Sequence, residues 1–132
     1  MNTQTTIRFL GTVLFATLVS SSATHAQLGL PRTGLPQQGG EAIYKGICQG
    51  CHMPDAKGAV GAGMYPALAS NPKLETAGYP ISVIIHGQKA MPVFGAAFSD
   101  QQIADVVNYI RTHFGNSYKD KVTPADVKSA RP

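Results

Sequence analysis

The sequence is poor in cysteine, tryptophan and charge, and each shortage narrows the class of protein. Its 132 residues include two cysteines and no tryptophan, and 14% of them are charged. Two cysteines are too few for a disulfide-dense scaffold or a four-cysteine zinc site. The formal net charge is +4, without the concentrated basic patch that nucleic-acid binding requires, so we expect no nucleic-acid partner. The length allows one domain, and the 43% hydrophobic content argues against wholesale disorder.

The sequence also lacks an apolar run long enough to cross a membrane. Residues 9–19 form an apolar run of eleven, whereas a spanning helix needs about twenty, so a membrane anchor is the less favoured alternative. Arg8 precedes the run, and small residues ending at Ala26 follow it, as in secretory signal peptides. We predict a signal peptide at residues 1–26, with cleavage after Ala26 or alternatively Ala23. The product is then periplasmic, with no transmembrane segment in the mature chain.

The middle of the chain predicts short helices separated by irregular segments. Residues 27–39 are rich in Gly, Pro and Gln and predict a flexible lead-in. Residues 41–47 have helical spacing of apolar positions. Pro72 favours the start of a turn or helix. Residues 80–86 predict a short apolar helix that ends at Gly87, although their β-branched content also allows a strand.

The clearest predicted element is a helix at residues 99–114. Ser99 and Gln102 have the spacing of a capping box, and Gly115 stands where a left-handed C-terminal residue is favoured. Residues 116–132 are polar and predict a tail that either lies over the domain or is loose in solvent. One face of the helix is apolar and predicts a core contact: Ile103, Val106, Val107, Ile110 and Phe114.

This predicted core is small for its length. We place the domain at residues 40–115, and two or three short helices of that size bury too little surface to be stable without help. A large bound cofactor would supply the missing core.

Cys48, Cys51 and His52 form a C-x-x-C-H motif. In such a motif two thiols add to the vinyl groups of a haem and the histidine coordinates the iron. A thioredoxin-like C-x-x-C needs a preceding strand, which the sequence does not predict, and a zinc site needs a second ligand pair. A disulfide across two residues would be strained. The motif therefore predicts a single covalent haem c, with His52 as one axial ligand.

A six-coordinate haem needs a second axial ligand, and five side chains qualify by chemistry. Met91 is favoured because Gly87 and Pro92 bound its loop and can hold a thioether in one place. A neutral sulfur ligand also raises the reduction potential. Core filling is the structural alternative for Met91, and Met64 and His86 remain alternatives for the ligand. The full set of candidates is Met53, Met64, Met91, His86 and His113.

With these motifs in order, the sequence resembles class I c-type cytochromes. The matching elements are the helix from Gly40 into the attachment motif, the Met91 loop and the C-terminal helix with Tyr109. The resemblance implies a small all-α fold, with three to four short helices around one covalently bound haem. It also implies that Gly40, Tyr44 and Tyr109 meet where the first and last helices cross.

The resemblance implies further residues of the haem pocket. In this family a proline carbonyl downstream of the motif accepts a hydrogen bond from the ligand histidine, and Pro66 is the best match here. Tyr65 and Phe94 are expected to line the pocket wall. No pair of acidic residues can be placed in a cleft, so we expect no catalytic residue.

A narrower resemblance is to the haem domains of periplasmic alcohol, aldehyde and sugar dehydrogenases. It rests on residues 81–92, 107–116 and 122–128. It implies an electron carrier, not an enzyme in itself, that accepts electrons from a dehydrogenase and passes them toward the respiratory chain. The alternatives are a haem c enzyme or gas-binding sensor with a labile sixth ligand, and a non-haem thiol module on Cys48 and Cys51.

Overall fold

The computed structural model describes residues 35–61 and 63–132, and these are mostly helical. The predicted signal peptide at residues 1–26 and most of the predicted lead-in lie outside the described residues. Within them, α1 (Gly40–Ile43) continues as a π-helical turn (Tyr44–Cys48) and α2 (Gln49–His52). The later elements are a 3₁₀ turn (Pro72–Leu74), α3 (Gly78–His86), α4 (Asp100–Thr112) and α5 (Pro124–Ser129).

The N-terminal helical segment is longer than the predicted helix at residues 41–47. It runs without a break from residue 40 to residue 52 and carries the whole C-x-x-C-H motif. Ile43 and Tyr44 are buried in the core, and this tertiary burial stabilises a helical path through residues whose glycines disfavour it. The motif is therefore on a helix and not in the irregular segment that follows.

The first and last core helices cross where the family resemblance implies. The backbone of Gly40 lies so close to α4 that an added Cβ would be 2.5 Å from Tyr109 Cβ and closer still to the Asp105 carbonyl oxygen. The Tyr44 and Tyr109 rings pack with their centroids 5.7 Å apart. Because only a residue without a side chain allows this approach, Gly40 sets the separation of the two helices.

Helix α4 begins as predicted, with a complete capping box between Ser99 and Gln102. Its C-terminus differs from the prediction, because the helix ends at Thr112 and His113 is already extended. Phe114 and Gly115 both have positive φ, so Gly115 is not the residue that ends the helix. The Phe114 ring packs against Tyr44 at 4.8 Å, a contact that turns the chain off the helix axis early.

Residues 116–132 lie over the domain. Helix α5 packs against α4, and Val122 and Val127 are buried between them. Arg111, fully buried, donates hydrogen bonds to the carbonyl oxygens of Leu74, Glu75 and Asp120. These bonds tie the C-terminal segment to the middle of the chain.

A short β-hairpin follows the motif. Strands β1 (Ala59–Val60) and β2 (Met64–Tyr65) pair antiparallel, with Ala59 opposite Tyr65 and Val60 opposite Met64. The sequence prediction left this segment irregular. Among the residues that the structure describes, no helix is long and apolar enough to cross a membrane.

Candidate functional site

His52 is the last residue of α2, and its side chain is held in one orientation. The residue is 8% exposed. Its Nδ1 lies 2.9 Å from the Pro66 carbonyl oxygen, the contact implied by the family resemblance. A carbonyl can only accept, so Nδ1 carries the proton and Nε2 keeps its lone pair. Over the described part of the chain, Nε2 has no hydrogen-bond partner and is not sealed from solvent. The imidazole therefore presents a free nitrogen donor.

The loop after His52 is fixed by the hairpin. The backbone N–H of Gly58 donates to the His52 carbonyl oxygen at 3.1 Å. Gly58 has a φ of 68°, and an added Cβ would lie 2.8 Å from the Pro66 carbonyl carbon and closer still to the Tyr65 carbonyl oxygen. This close approach places the Pro66 carbonyl against the imidazole. Sequence reasoning named Pro66 but missed Gly58, because its role depends on a contact across the hairpin.

The two cysteines lie one helical turn apart on this segment and are not joined. Cys48 is partly buried, whereas Cys51 is exposed. Burial raises the pKa of the Cys48 thiol to about 11, so the thiol is protonated at neutral pH. Redox-active cysteines of the thioredoxin kind have the opposite property, a lowered pKa. The segment that leads into Cys48 is helical and not a strand, which also disfavours the thioredoxin-like alternative.

A zinc site has no support in the described residues, where no group of three histidine, cysteine, aspartate or glutamate side chains is arranged to hold a metal ion. The donors near the motif are one imidazole and two unjoined thiols. This donor set fits the attachment of a haem.

The Met91 loop is closed by backbone hydrogen bonds. Gln88 N–H donates to the Met91 carbonyl oxygen at 3.2 Å, and Met91 N–H donates to the Gln88 carbonyl oxygen at 2.9 Å. Gly87 begins the loop with a φ of 73°. Phe94 N–H donates to the Ile84 carbonyl oxygen at 3.0 Å, which ties the end of the loop back to α3. Met91 itself is partly buried and packs against the core. The loop therefore holds the thioether on a fixed backbone.

The other candidate ligands are less constrained. Met64 lies on β2 and is 79% exposed, and Met53 adjoins His52 in sequence. His86 and His113 are exposed. His86, at the end of α3, donates from Nδ1 to the Ser82 carbonyl oxygen, and His113, just beyond α4, donates from Nδ1 to the Tyr109 carbonyl oxygen. These local hydrogen bonds hold both imidazoles against their own segments of backbone.

The predicted pocket residues lie in two parts of the fold. Tyr65 is on β2 and is 37% exposed. Phe94 follows the Met91 loop and stacks on Phe98, with ring centroids 5.3 Å apart. Large apolar side chains are exposed near both parts and on α3: Val60, Met64 and Tyr65 on the hairpin, Val93 after Met91, and Tyr79 on α3.

Comparisons with known proteins find similarity to cytochrome subunits of dehydrogenases. An alcohol dehydrogenase (quinone) cytochrome c subunit of Gluconacetobacter polyoxogenes is 40% identical over 105 residues, which covers 70% of this chain and 22% of that subunit. The gluconate 2-dehydrogenase cytochrome c subunit of Pantoea cypripedii is 35% identical over 114 residues, covering 74% of this chain and 25% of its own. The fructose dehydrogenase cytochrome subunit of Gluconobacter japonicus is 33% identical over 96 residues, covering 59% and 19%.

The chain thus spans a quarter or less of the length of these relatives. Residues 36–110 match the family described as cytochrome C oxidase, cbb3-type, subunit III. That match includes the attachment motif, the Met91 loop and most of α4, and it covers more than half of the chain. The chain therefore belongs to the cbb3-type cytochrome c family.

Proposed function

We propose that this protein is a periplasmic one-electron carrier with a single covalent haem c. Cys48 and Cys51 attach the haem, and His52 and Met91 are the axial ligands of its iron. The observation that carries the proposal is the His52 imidazole at the end of the C-x-x-C-H helix. Its Nδ1–H donates a hydrogen bond to the Pro66 carbonyl oxygen, and its Nε2 lone pair is free. Hydrogen bonding of the far ring nitrogen is how proteins fix a ligand histidine and raise its basicity.

The thiols provide the covalent attachment. Cys48 and Cys51 would hold the haem through thioether bonds, each S–H adding across one vinyl C=C bond with no atom lost or gained. The helical path from Cys48 to His52 puts both thiols and the imidazole within little more than one turn. When bound, the haem supplies the one-electron iron couple, and the protein supplies ligation, burial and orientation.

The Met91 loop and the exposed apolar side chains support two further parts of the proposal, the second iron ligand and the surface that the haem covers. The closed loop around Met91 limits the movement of its thioether, and a thioether ligand favours reduced iron and a higher potential. Val60, Met64 and Val93 are 89%, 79% and 64% exposed. Exposed apolar side chains mark a binding site where they form a contiguous patch, and a haem bound between the hairpin and the Met91 loop would cover part of this surface.

The relatives support the choice of redox partners. Cytochrome subunits of alcohol, gluconate and fructose dehydrogenases are 40%, 35% and 33% identical to this chain over 70%, 74% and 59% of its length. We infer that a periplasmic dehydrogenase is the electron donor and a respiratory-chain component the acceptor. The predicted signal peptide at residues 1–26 supports the same compartment.

The ligand set is tested by visible spectra of the holoprotein and of two methionine variants. Wild type is expected to be low-spin and six-coordinate in both oxidation states, and to bind carbon monoxide slowly. Met91→Ala should become high-spin and bind carbon monoxide readily. Met64→Ala is the matched control, since it removes an exposed thioether from β2, and it should retain the wild-type spectrum. A high-spin wild type would contradict the carrier and favour the enzyme or gas-sensor alternative.

The partner proposal has a separate test. Oxidised holoprotein is mixed with a purified quinone-dependent alcohol dehydrogenase and ethanol, and haem reduction is followed by stopped flow. Reduction that needs both enzyme and substrate would support a dehydrogenase donor. No reduction by alcohol, gluconate or fructose dehydrogenases with their substrates would contradict it.

A further inference from the structure

Tyr44 makes a contact that packing alone does not require. It is the first residue of the π-helical turn, and it is 1% exposed. Its hydroxyl donates a hydrogen bond of 2.8 Å to the Met53 carbonyl oxygen, nine residues later. Met53 immediately follows His52. The side chain therefore joins the start of the motif helix to the backbone just beyond the imidazole.

The backbone at Met53 needs such support. Met53 has a φ of 67°, a left-handed conformation that costs free energy in a residue with a side chain. Strained conformations persist only where the surroundings hold them. The Met53 carbonyl oxygen accepts a second hydrogen bond, from Ala56 N–H at 3.1 Å. Tyr44 lies on the helical segment that carries the cysteines, and its hydroxyl is the side-chain donor to this carbonyl oxygen.

We propose that Tyr44 is a positioning residue for His52, whose hydroxyl holds the Met53 peptide and thereby sets the orientation of the imidazole. The inference rests on the proposed role of His52 as an iron ligand. Pro66 fixes the imidazole at Nδ1, and Tyr44 fixes the backbone from which the side chain projects. Together the two contacts restrain the imidazole ring of His52 and the backbone that follows it.

The ring of Tyr44 has a separate structural role, which permits a clean test. It packs with Tyr109 and Phe114 at centroid distances of 5.7 and 4.8 Å. Tyr44→Phe keeps these ring contacts, and the Met53 carbonyl oxygen keeps its bond from Ala56, so the variant should fold. Tyr109→Phe is the matched control, because Tyr109 packs on the same Phe114 at 5.5 Å. Over the described residues, its hydroxyl makes no hydrogen bond.

The experiment compares wild type, Tyr44→Phe and Tyr109→Phe as oxidised holoproteins by proton NMR and amide hydrogen exchange. The paramagnetically shifted haem methyl signals report the orientation of the imidazole plane. Tyr44→Phe is expected to change the pattern of these shifts and to speed exchange of the Ala56 and Gly58 amides about fivefold, as loss of one hydrogen bond predicts. Tyr109→Phe is expected to change neither.

Two results would overturn the inference while leaving the proposed function intact. One is a Tyr44→Phe protein with the wild-type methyl shifts and exchange rates. The other is a Tyr109→Phe protein that changes as much as Tyr44→Phe, which would assign the effect to aromatic packing. Failure of the proposed function would be seen in the wild-type protein itself, as the absence of covalent haem. That result would also contradict the inference, because the inference depends on His52 being an iron ligand.

Discussion

Gly58 packs without a side chain against the strand end that carries Pro66, and Gly58→Ala should therefore disturb the imidazole contact. The added Cβ would lie 2.8 Å from the Pro66 carbonyl carbon and 2.9 Å from the Ala67 nitrogen. These are backbone atoms, so relief requires the strand to move. The variant also places alanine at a φ of 68°. Left-handed alanine costs roughly 1–2 kcal/mol, and overpacking adds about 1–3 kcal/mol.

Gly39→Ala separates these two costs. Gly39 has a φ of 81°, and no atom of residues 35–61 or 63–132 lies within 4 Å of its added Cβ, so this variant has the conformational cost without the overlap. Both changes stiffen the unfolded chain equally, and that effect cancels in the comparison. We expect Gly58→Ala to lose about 2 kcal/mol more than Gly39→Ala, or a melting temperature roughly 10 °C lower.

The assay is thermal and urea unfolding of the holoproteins, followed by circular dichroism and haem absorbance. Gly58→Ala should also alter the haem methyl shifts, because the Pro66 carbonyl moves away from His52. Equal destabilisation by the two alanines would refute the close-packing argument. Normal haem methyl shifts in Gly58→Ala would refute the link between this glycine and the imidazole.

Three further predictions follow from contacts in the core. Gly40→Ala should destabilise the protein by about 1–3 kcal/mol, because its Cβ would overlap α4. Gly78→Ala, whose Cβ would meet no atom within 4 Å in the described part of the chain, should be neutral or stabilising in urea unfolding. Arg111→Ala should cost about 1–3 kcal/mol, because it leaves the buried Leu74 carbonyl without its donor and removes the bonds to the partly buried carbonyls of Glu75 and Asp120, and the exposed Lys128→Ala should cost little. The hydrogen bond from Arg111 holds the pKa of Asp120 below its usual value, so Asp120 stabilises the fold above its unfolded pKa of about 4 and loses this effect as pH falls through the lower folded value. Unfolding of wild type and Asp120→Asn should therefore differ at pH 7 and converge in acid; a difference that grew in acid would contradict the assignment.

Local signals predicted the local structure correctly. Ser99 and Gln102 specify the start of α4 within four residues of sequence, and Gly87 ends α3 where the sequence predicts. The attachment motif is equally local, so the sequence alone predicts its haem-binding chemistry without knowledge of the fold. A capping box from Thr123 to Asp126, with Pro124 at the first helical position, likewise marks the start of α5. That signal is present in the sequence, and the prediction of a polar tail overlooked it.

Apart from the contacts that the family resemblance implies, contacts between distant segments could not be predicted from the sequence. Arg111 is charged and mid-helix, and only the fold shows that it is fully buried among carbonyl groups 36 and 37 residues away. The hairpin depends on the close packing of Gly58 against the Tyr65–Pro66 backbone, and no hydrophobic periodicity in the sequence predicts this contact. The bond from Tyr44 to Met53 depends on the π-helical turn. Each of these depends on packing, which sequence patterns of one element do not encode.

The most direct test of the account is the intact mass of the secreted protein made in a host that matures c-type haem. The account predicts a polypeptide beginning after Ala26 that carries the added mass of one haem, retained through acid–acetone extraction. A Cys48→Ala, Cys51→Ala double variant should have the mass of the polypeptide alone. A wild-type mass without the haem, or a haem removed by extraction, would contradict the central claim.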